Sequence, residues 1–411
     1  MSDDSTMIPD KPLDGITVVD AASLYAGPLT AMMLGDFGAE VIKVEHPEYG
    51  DSLREFGDYP EELSWKWVNR NKKSVPLDLH EEDGQEIFKD LVADADVLVE
   101  NFRPGTLEDW GIGWETLSAL NETLVMVRVT GFGQTGPYKD RPGFGTLVEA
   151  MSGYAYSTGQ ADGPPTLPPT AMADSICALH STYAAVMALY WRDVHDGSGQ
   201  YIDSSILEAM FGMLGDHVIE YGQKEIDHER SGNRSSRTAP RNTYRTKDDR
   251  WVAISGSSQS IAERILRIVG GEELATDPRF RTMKDRLEHV EELDAIIAEW
   301  MSEHTRTEVI EIFEEHEAAI GPVNNMADIF RDQHFAERDA VIYIDGEDEE
   351  SIPMRGVFPK LSATPGGVDH PGPSLGSHAL STITERTDRS EADVRRLAAE
   401  GVTTLGGETR D

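Results

Sequence analysis

With 411 residues, 39% hydrophobic and 8% aromatic, and 37 Gly, the chain is long enough for two or three domains with a real core and is neither collagenous nor low-complexity. Its 75 Asp and Glu stand against 37 Lys and Arg, 11 of them Lys and 26 Arg, giving a formal net charge of −38 spread along the whole chain. A dispersed anionic surface repels phosphate backbones and anionic lipid, which sets nucleic-acid and membrane-surface roles aside.

The excess acid and scarce Lys point to a saline cytoplasm, as in halophilic microbes, where salt relieves self-repulsion by shrinking the Debye length to about 3 Å near 1 M. The single cysteine, Cys177, permits no intrachain disulfide and no cysteine-based metal cluster. The opening MSDDSTMIPDK has neither the basic nor the apolar region of a secretory signal. The longest apolar stretch, residues 183–191, is well short of the ~20 residues that span a membrane. A cytoplasmic location is expected.

In chain order, residues 16–21 form a short apolar run, 27–37 have helical spacing through Leu29, Met32, Met33 and Phe37, and 41–44 are apolar again, which predicts a β-α-β unit. The alternation continues with strand 74–79, helix 81–95, strand 97–99 and strand 124–129. Strands alternating with helices predict a parallel α/β sheet. Three helices are then predicted, over 145–156, 174–191 and 204–221, the second hydrophobic nearly all round and therefore expected to be buried. Residues 222–241, polar and Arg-rich without periodicity, read as a linker. A smaller unit follows, with a strand over 251–254 and helices over 261–269, 290–302 and 306–316. The chain closes with strand 341–344, a Pro- and Gly-rich stretch and a helix over 391–400. No internal repeat is visible.

No GxGxxG follows the first strand, and GxxxxGK[ST], HExxH and GxSxG are all missing, so nicotinamide, P-loop, zinc-protease and hydrolase readings lack a motif. No histidine pair has metal-ligand spacing, and no metal site is predicted. Three Gly-containing loops follow predicted strands: Ala26-Gly27-Pro28, Asn101-Phe102-Arg103-Pro104-Gly105 and Gly131-Phe132-Gly133-Gln134-Thr135-Gly136-Pro137. Singly each is ordinary turn chemistry; together they favour a ligand crevice at the strand C-ends. Arg103, Lys139, Arg141, Lys72 and Lys73 lie beside these loops. In a chain this acidic, such cations suit a phosphorylated small ligand. Asp174 opens the helix predicted over 174–191; its spacing reads first as an N-cap, and the same position also suits a carboxylate held ionised by the helix dipole.

The sequence resembles the class III coenzyme A (CoA) transferases over nearly its whole length. The likeness rests on Pro12-Leu13-Asp14-Gly15-Ile16 with Asp20, Ala26-Gly27-Pro28, the run from Leu34 through Lys43-Val44-Glu45, Asn69-Arg70-Asn71-Lys72-Lys73-Ser74 and Val99-Glu100-Asn101-Phe102-Arg103-Pro104-Gly105. It continues through the 131–137 loop, Gly197-Ser198-Gly199-Gln200, Gly321-Pro322-Val323 and Pro373-Ser374-Leu375-Gly376, in one order. The resemblance implies an α/β fold: a large Rossmann-like parallel-sheet domain from both chain ends (10–221 and 331–411), a linker over 222–241, a smaller central α+β domain over 242–330, and an interlocked homodimer.

It also implies roles. Ala173-Asp174-Ser175 holds the place of the family's nucleophile, Asp174. Leu24, Leu77, Asn101, Phe102 and Arg103 match the CoA site, with basic groups near Lys139 and Arg141 and His46 where relatives carry a basic residue; Lys72, as a neighbouring cation, is counted with the CoA-binding candidates. Gly256, in the Ser255-Gly256-Ser257-Ser258-Gln259 turn, matches a mobile loop and is the candidate lid; Glu149 either orients substrate or caps its helix. Phe144 and Gly145 stand where racemases of the superfamily need a His-Asp acid–base pair, which disfavours racemization. The expected activity is transfer of CoA from succinyl-CoA to a dicarboxylic acid, mesaconate foremost, through an acyl-aspartyl anhydride and an aspartyl-CoA thioester. The CoA thioester is a substrate, and no tightly bound cofactor is expected. Transfer to another acid, of the citramalate, benzylsuccinate, formate/oxalate or carnitine type, an acyl-CoA racemase and a non-catalytic CoA-binding protein are the rival readings.

Overall fold

A computed structural model describes residues 10–57, 62–346 and 351–406. Short runs rich in Val and other β-branched residues form strands β1 (Thr17–Asp20), β2 (Glu40–Glu45), β3 (Lys72–Pro76), β4 (Val97–Glu100), β5 (Val125–Thr130) and β6 (Gln200–Ser205). They make one parallel sheet in the order β3-β2-β1-β4-β5-β6. Every residue of β1, β4 and β5 is buried, because helices cover both faces.

One face is covered by helix Glu82–Ala93, through Ile87, Phe88, Leu91 and Val92, and by the C-terminal helices Ala379–Arg386 and Glu391–Glu400, through Ile383, Val394 and Leu397. The other face carries α1 (Ala26–Asp36), α2 (Gly145–Met151), α3 (Met172–His195) and α4 (Ile206–Gly212), which bury Leu34, Val148, Cys177, Ala185, Leu189 and Met210. The strand order reverses between β1 and β4. Their C-terminal ends therefore diverge into loops that leave a crevice, the usual ligand position in open α/β sheets.

The chain divides into two compact units. The first holds residues up to Tyr154, Pro168–Gly215 and everything from Glu337 on, so both ends build the large parallel-sheet body. The second holds Ala155–Leu167 and Asp216–Ala336. It contains a three-stranded antiparallel sheet, β7 (Arg241–Arg245), β8 (Trp251–Ser255) and β9 (Ile320–Pro322). Helices Gln259–Thr276, Val290–Ser302 and Arg306–Glu315 pack on its core of Val252, Ile254, Ile265, Ile297, Met301 and Phe313. Among the described residues no helix is long and apolar enough to cross a membrane.

Several elements differ from the sequence-based reading. The helix predicted over 204–221 is instead β6, α4 and a separate helix His217–Lys224, with left-handed Gly215 between the two helices. The helix predicted over 145–156 breaks at left-handed Gly153 into α2 and a short turn Tyr154–Ser157. The first residues of the stretch read as linker are helical, and its last begins β7. The helix α3 is not buried all round: Ala173, Cys177, Ala185 and Leu189 face the sheet, whereas Leu179, Tyr183, Met187, Tyr190 and Val194 are each more than half exposed.

Candidate active site

Asp174 is not an N-cap. It is the third residue of α3, after the N-cap Ala171, whose side chain makes no capping bond. Glu149 of α2 supplies what Ala171 lacks: its Oε1 accepts the Ala173 N–H at 3.2 Å. Glu149 is buried, so the two carboxylates share a poorly solvated corner. Burial pushes the Asp174 carboxyl up, its own amide pulls it down, and the Glu149 charge adds to the rise, which leaves it at about 6. At neutral pH such a group is still mostly an anion, yet it is short of solvation, a combination suited to a nucleophile.

Space for that carboxylate comes from Gly145, the first residue of α2. A Cβ built at position 145 would stand 2.2 Å from Asp174 Oδ2. The same contact bears on racemization, because an acidic side chain at 145 has no room beside this aspartate.

Two cavities of the first unit meet at Asp174. One, of about 200 Å³, is bordered by Ser23, Leu24 and Tyr25 after β1, Asn101 to Pro104 after β4, Gly131 and Phe132 after β5, and Lys139, Arg141 and Phe144. The other, of about 620 Å³, is walled by Leu24, Tyr25, Phe56, Trp67, Phe144, Pro168 and Pro169, with Thr146, Thr170, Ser175 and Glu149 as its polar groups. Leu24, Tyr25, Phe144 and Asp174 line both. A third cavity of about 220 Å³ adjoins the first through Ser23 and Phe102 and contains Leu77, Leu79, His46, Tyr49, His80 and Trp110. His46 stacks flat on Tyr49 at 3.8 Å, and Trp110 meets both Phe102 and His80 edge-on.

Three cations border the first cavity, and they differ from the buried arginines of the same unit. Arg54, Arg70, Arg128 and Arg192 all pair with carboxylates. Arg103, Lys139 and Arg141 form no ion pair among the described residues, and the Arg141 guanidinium lies 3.8 Å over the Tyr138 ring. Three uncompensated positive charges beside one crevice in a chain at −38 attract an anionic ligand.

Of the residues matched to a CoA site, Leu24, Asn101, Phe102, Arg103, Lys139 and Arg141 thus share a cavity with Asp174, and Leu77 lines the adjoining one. Lys72 requires correction. It is fully buried under the sheet, its Nζ donating to Asp20 Oδ2 at 2.8 Å, Pro28 O at 2.8 Å and Asn69 Oδ1 at 2.9 Å, so all three donors are occupied away from the cavities. Burial drives its ammonium down to about 8. Gly256 belongs to the second unit, where its N–H donates to Pro240 O at 2.7 Å and a Cβ would stand 2.7 Å from Pro240 Cδ. Tyr25, prominent in both cavities, and Asp51 are not among the residues that sequence assigned to the site, and Phe144 entered only as the residue at the place of the racemase pair; all three lie far from the 173–175 segment in sequence, so no local pattern points to them.

Residues 13–379 match the CoA-transferase family III. The succinyl-CoA–D-citramalate CoA-transferase of Chloroflexus aurantiacus is 41% identical over 401 residues, covering 97% of this chain and all of the relative. The succinyl-CoA–L-malate CoA-transferase beta subunit of the same organism is 41% identical over 397 residues, covering 95% and 98%. The crystal structure of a CAIB/BAIF family protein from Brucella suis has a TM-score of 0.83 at 32% identity, covering 92% of this chain and 100% of that one. The chain belongs to the class III CoA-transferases, enzymes whose substrates are CoA thioesters.

Proposed function

We propose that the protein moves CoA from succinyl-CoA to a dicarboxylic acid by covalent catalysis at Asp174. The observation that carries this reading is the position of a partly desolvated carboxylate where a cation-lined cavity meets an aromatic one that holds no Lys or Arg. The phosphorylated end of CoA approaches past Arg103, Lys139 and Arg141, and the acyl group occupies the aromatic side.

An Asp174 oxygen attacks the thioester carbonyl of succinyl-CoA, the C–S bond breaks, and CoA leaves as thiolate from a succinyl–aspartyl anhydride. The thiolate attacks the aspartyl carbonyl and expels succinate, leaving an aspartyl-CoA thioester. The incoming acid attacks that carbonyl with its carboxylate and releases the thiolate again, forming a second anhydride. Attack of the thiolate on the new acyl group regenerates Asp174. Acyl bonds are conserved throughout, and excluding water protects each intermediate.

Mesaconate is the proposed acceptor. The similarity to a D-citramalate transferase supports a methyl-branched C5 acid, since citramalate is mesaconate plus water. Initial rates with succinyl-CoA and a panel of mesaconate, citramalate, malate and glutarate test the choice; a higher kcat/KM for any of the other three replaces it. For the chemistry itself, hydroxylamine added during turnover converts an acyl-aspartate into a hydroxamate that mass spectrometry places at Asp174. Undiminished CoA exchange in Asp174→Ala removes the proposal.

The reading extends to a cytoplasmic homodimer. The exposed Leu179, Tyr183, Met187, Tyr190 and Val194 face of α3 is a large apolar surface on an otherwise highly charged chain, and such patches mark protein interfaces. Light scattering gives the mass, and Met187→Glu with Tyr190→Asp shifts it toward the monomer.

A further inference from the structure

In the loop joining β1 to α1, residues 21–25, five successive backbone groups from the Ala22 N–H to the Leu24 N–H are each held by a side chain. Asp20 Oδ1 accepts the Ala22 N–H at 3.1 Å, and the Lys43 ammonium donates to the Ala22 carbonyl. Asn101 grips Ser23 twice, Oδ1 accepting its N–H at 2.8 Å and Nδ2 donating to its carbonyl at 2.7 Å, much as a neighbouring strand would. Asp51 Oδ1 accepts the Leu24 N–H at 3.1 Å and the Leu53 N–H at 2.9 Å, while its Oδ2 pairs with Lys43 Nζ at 3.0 Å.

The conformation so held is a rare one. Leu24 has φ of +65°, the left-handed region that residues with side chains seldom enter and that survives where the surroundings over-determine it. Behind the loop, α1 presses in so closely that a Cβ on Gly27 would stand 2.3 Å from Ala22 Cβ. Leu24 is also part of the wall shared by the two cavities that meet at Asp174.

We propose that Asn101 and Asp51 are positioning residues of the transfer reaction, acting through the Ser23–Leu24 backbone to fix the wall opposite Asp174. This rests on the transfer reading of Asp174 above. It gives Asn101 a different task from direct CoA contact, because its amide oxygen and one amide hydrogen are already engaged by Ser23, and it gives Asp51 a task that burial and charge pairing alone do not explain.

The test compares wild type with Asn101→Ala, Asp51→Asn and Asp51→Ala, measuring free-CoA affinity by calorimetry, kcat with saturating succinyl-CoA, and hydroxamate formation at Asp174. A positioning role predicts that Asn101→Ala lowers kcat and hydroxamate yield at least tenfold with CoA affinity within threefold. It also predicts that Asp51→Asn, which keeps an acceptor for both amides, retains more activity than Asp51→Ala. A tenfold loss of CoA affinity with kcat preserved makes Asn101 a direct ligand and overturns the proposal, as does unchanged behaviour in all three variants. Should Asn101→Ala and Asp51→Ala fail to fold, Leu24→Gly and Leu24→Ala decide the matter. A clamped left-handed residue makes the glycine variant melt several degrees higher than the alanine variant, and equal melting temperatures overturn the clamp. Absence of hydroxamate in the wild type removes the transfer reading and this inference together, whereas a wild-type hydroxamate undiminished in Asn101→Ala removes the inference alone.

Discussion

Gly145 and Asp174 stand so close that a Cβ at position 145 would lie 2.2 Å from the Asp174 Oδ2. The missing side chain of one residue is the space occupied by the carboxylate of the other. On the proposed chemistry Gly145→Ala is therefore expected to displace the attacking carboxylate with little effect on the helix, since residue 145 is the first of α2 and the interior preference for Ala is weak there. The expected outcome is a loss of kcat of about a hundredfold or more with an unchanged or slightly raised melting temperature, read from initial rates and thermal unfolding. A variant with wild-type kcat means that the carboxylate has other room.

The Asp174 carboxyl, pushed by burial to about 6 from its ordinary 3.8, carries a signed prediction for activity and another for stability. In the proposed chemistry the anion is the attacking form, so kcat/KM falls as pH drops through about 6. For stability, a raised carboxyl favours folding below the unfolded value and loses that contribution as pH rises through the folded one. Ionised Asp174 thus costs the fold about 2–3 kcal/mol at pH 7.5. Asp174→Asn is expected to melt a few degrees above wild type at pH 7.5, with the advantage gone at pH 4. Melting curves at the two pH values check it.

Arg103, Lys139 and Arg141 line the first cavity without ion-pair partners among the described residues. Replacing each with Ala should raise KM for the CoA thioester by up to about fivefold, the scale of an exposed charge pair, and leave KM for the acid unchanged. Salt then acts in two directions: it raises KM for the thioester by screening, while it raises the melting temperature of a chain at −38 by relieving self-repulsion. A titration from low to molar salt, followed by rate and by melting, separates the two.

Asp36 and Arg70 form a buried bidentate pair, Nε to Oδ1 at 3.0 Å and Nη2 to Oδ2 at 2.6 Å, and Arg70 Nη1 also donates to the Arg355 carbonyl at 2.7 Å. The pair joins the end of α1 to the strand Ser351–Arg355 from the far end of the chain. Asp36→Ala leaves the guanidinium buried and unpaired, at an expected cost of about 3–5 kcal/mol. Replacing both by apolar residues of similar size is expected to cost less. Denaturant midpoints of the two variants provide the comparison.

The sheet was legible in sequence where its strands are buried on both faces: residues 16–21, 97–99 and 124–129 read as mostly apolar runs because the strands within them are buried. β6 was not, since Gln200-Tyr201-Ile202-Asp203-Ser204-Ser205 lies at the sheet edge with its first half largely exposed, and its apolar continuation into α4 reads as helix. Apolar residues all round α3 identify a helix but not what covers it; burial by the sheet and an open outer face leave the same pattern. Lys72 looked like a ligand cation because cations are scarce, whereas its partner Asp20 lies 52 residues earlier and two strands away across the sheet. Tertiary pairings of this kind, like the grip of Asn101 on Ser23, leave no periodic trace in the chain.

Asp174 is reached from two sides, through chambers of opposite character that touch only around a few shared residues. An enzyme so arranged can trade one small acid for another at its own door while the nucleotide carrier stays moored at the other. On the proposed transfer chemistry, succinate and the incoming acid would then compete with each other rather than with the carrier, and the thiol would stay bound between half-reactions.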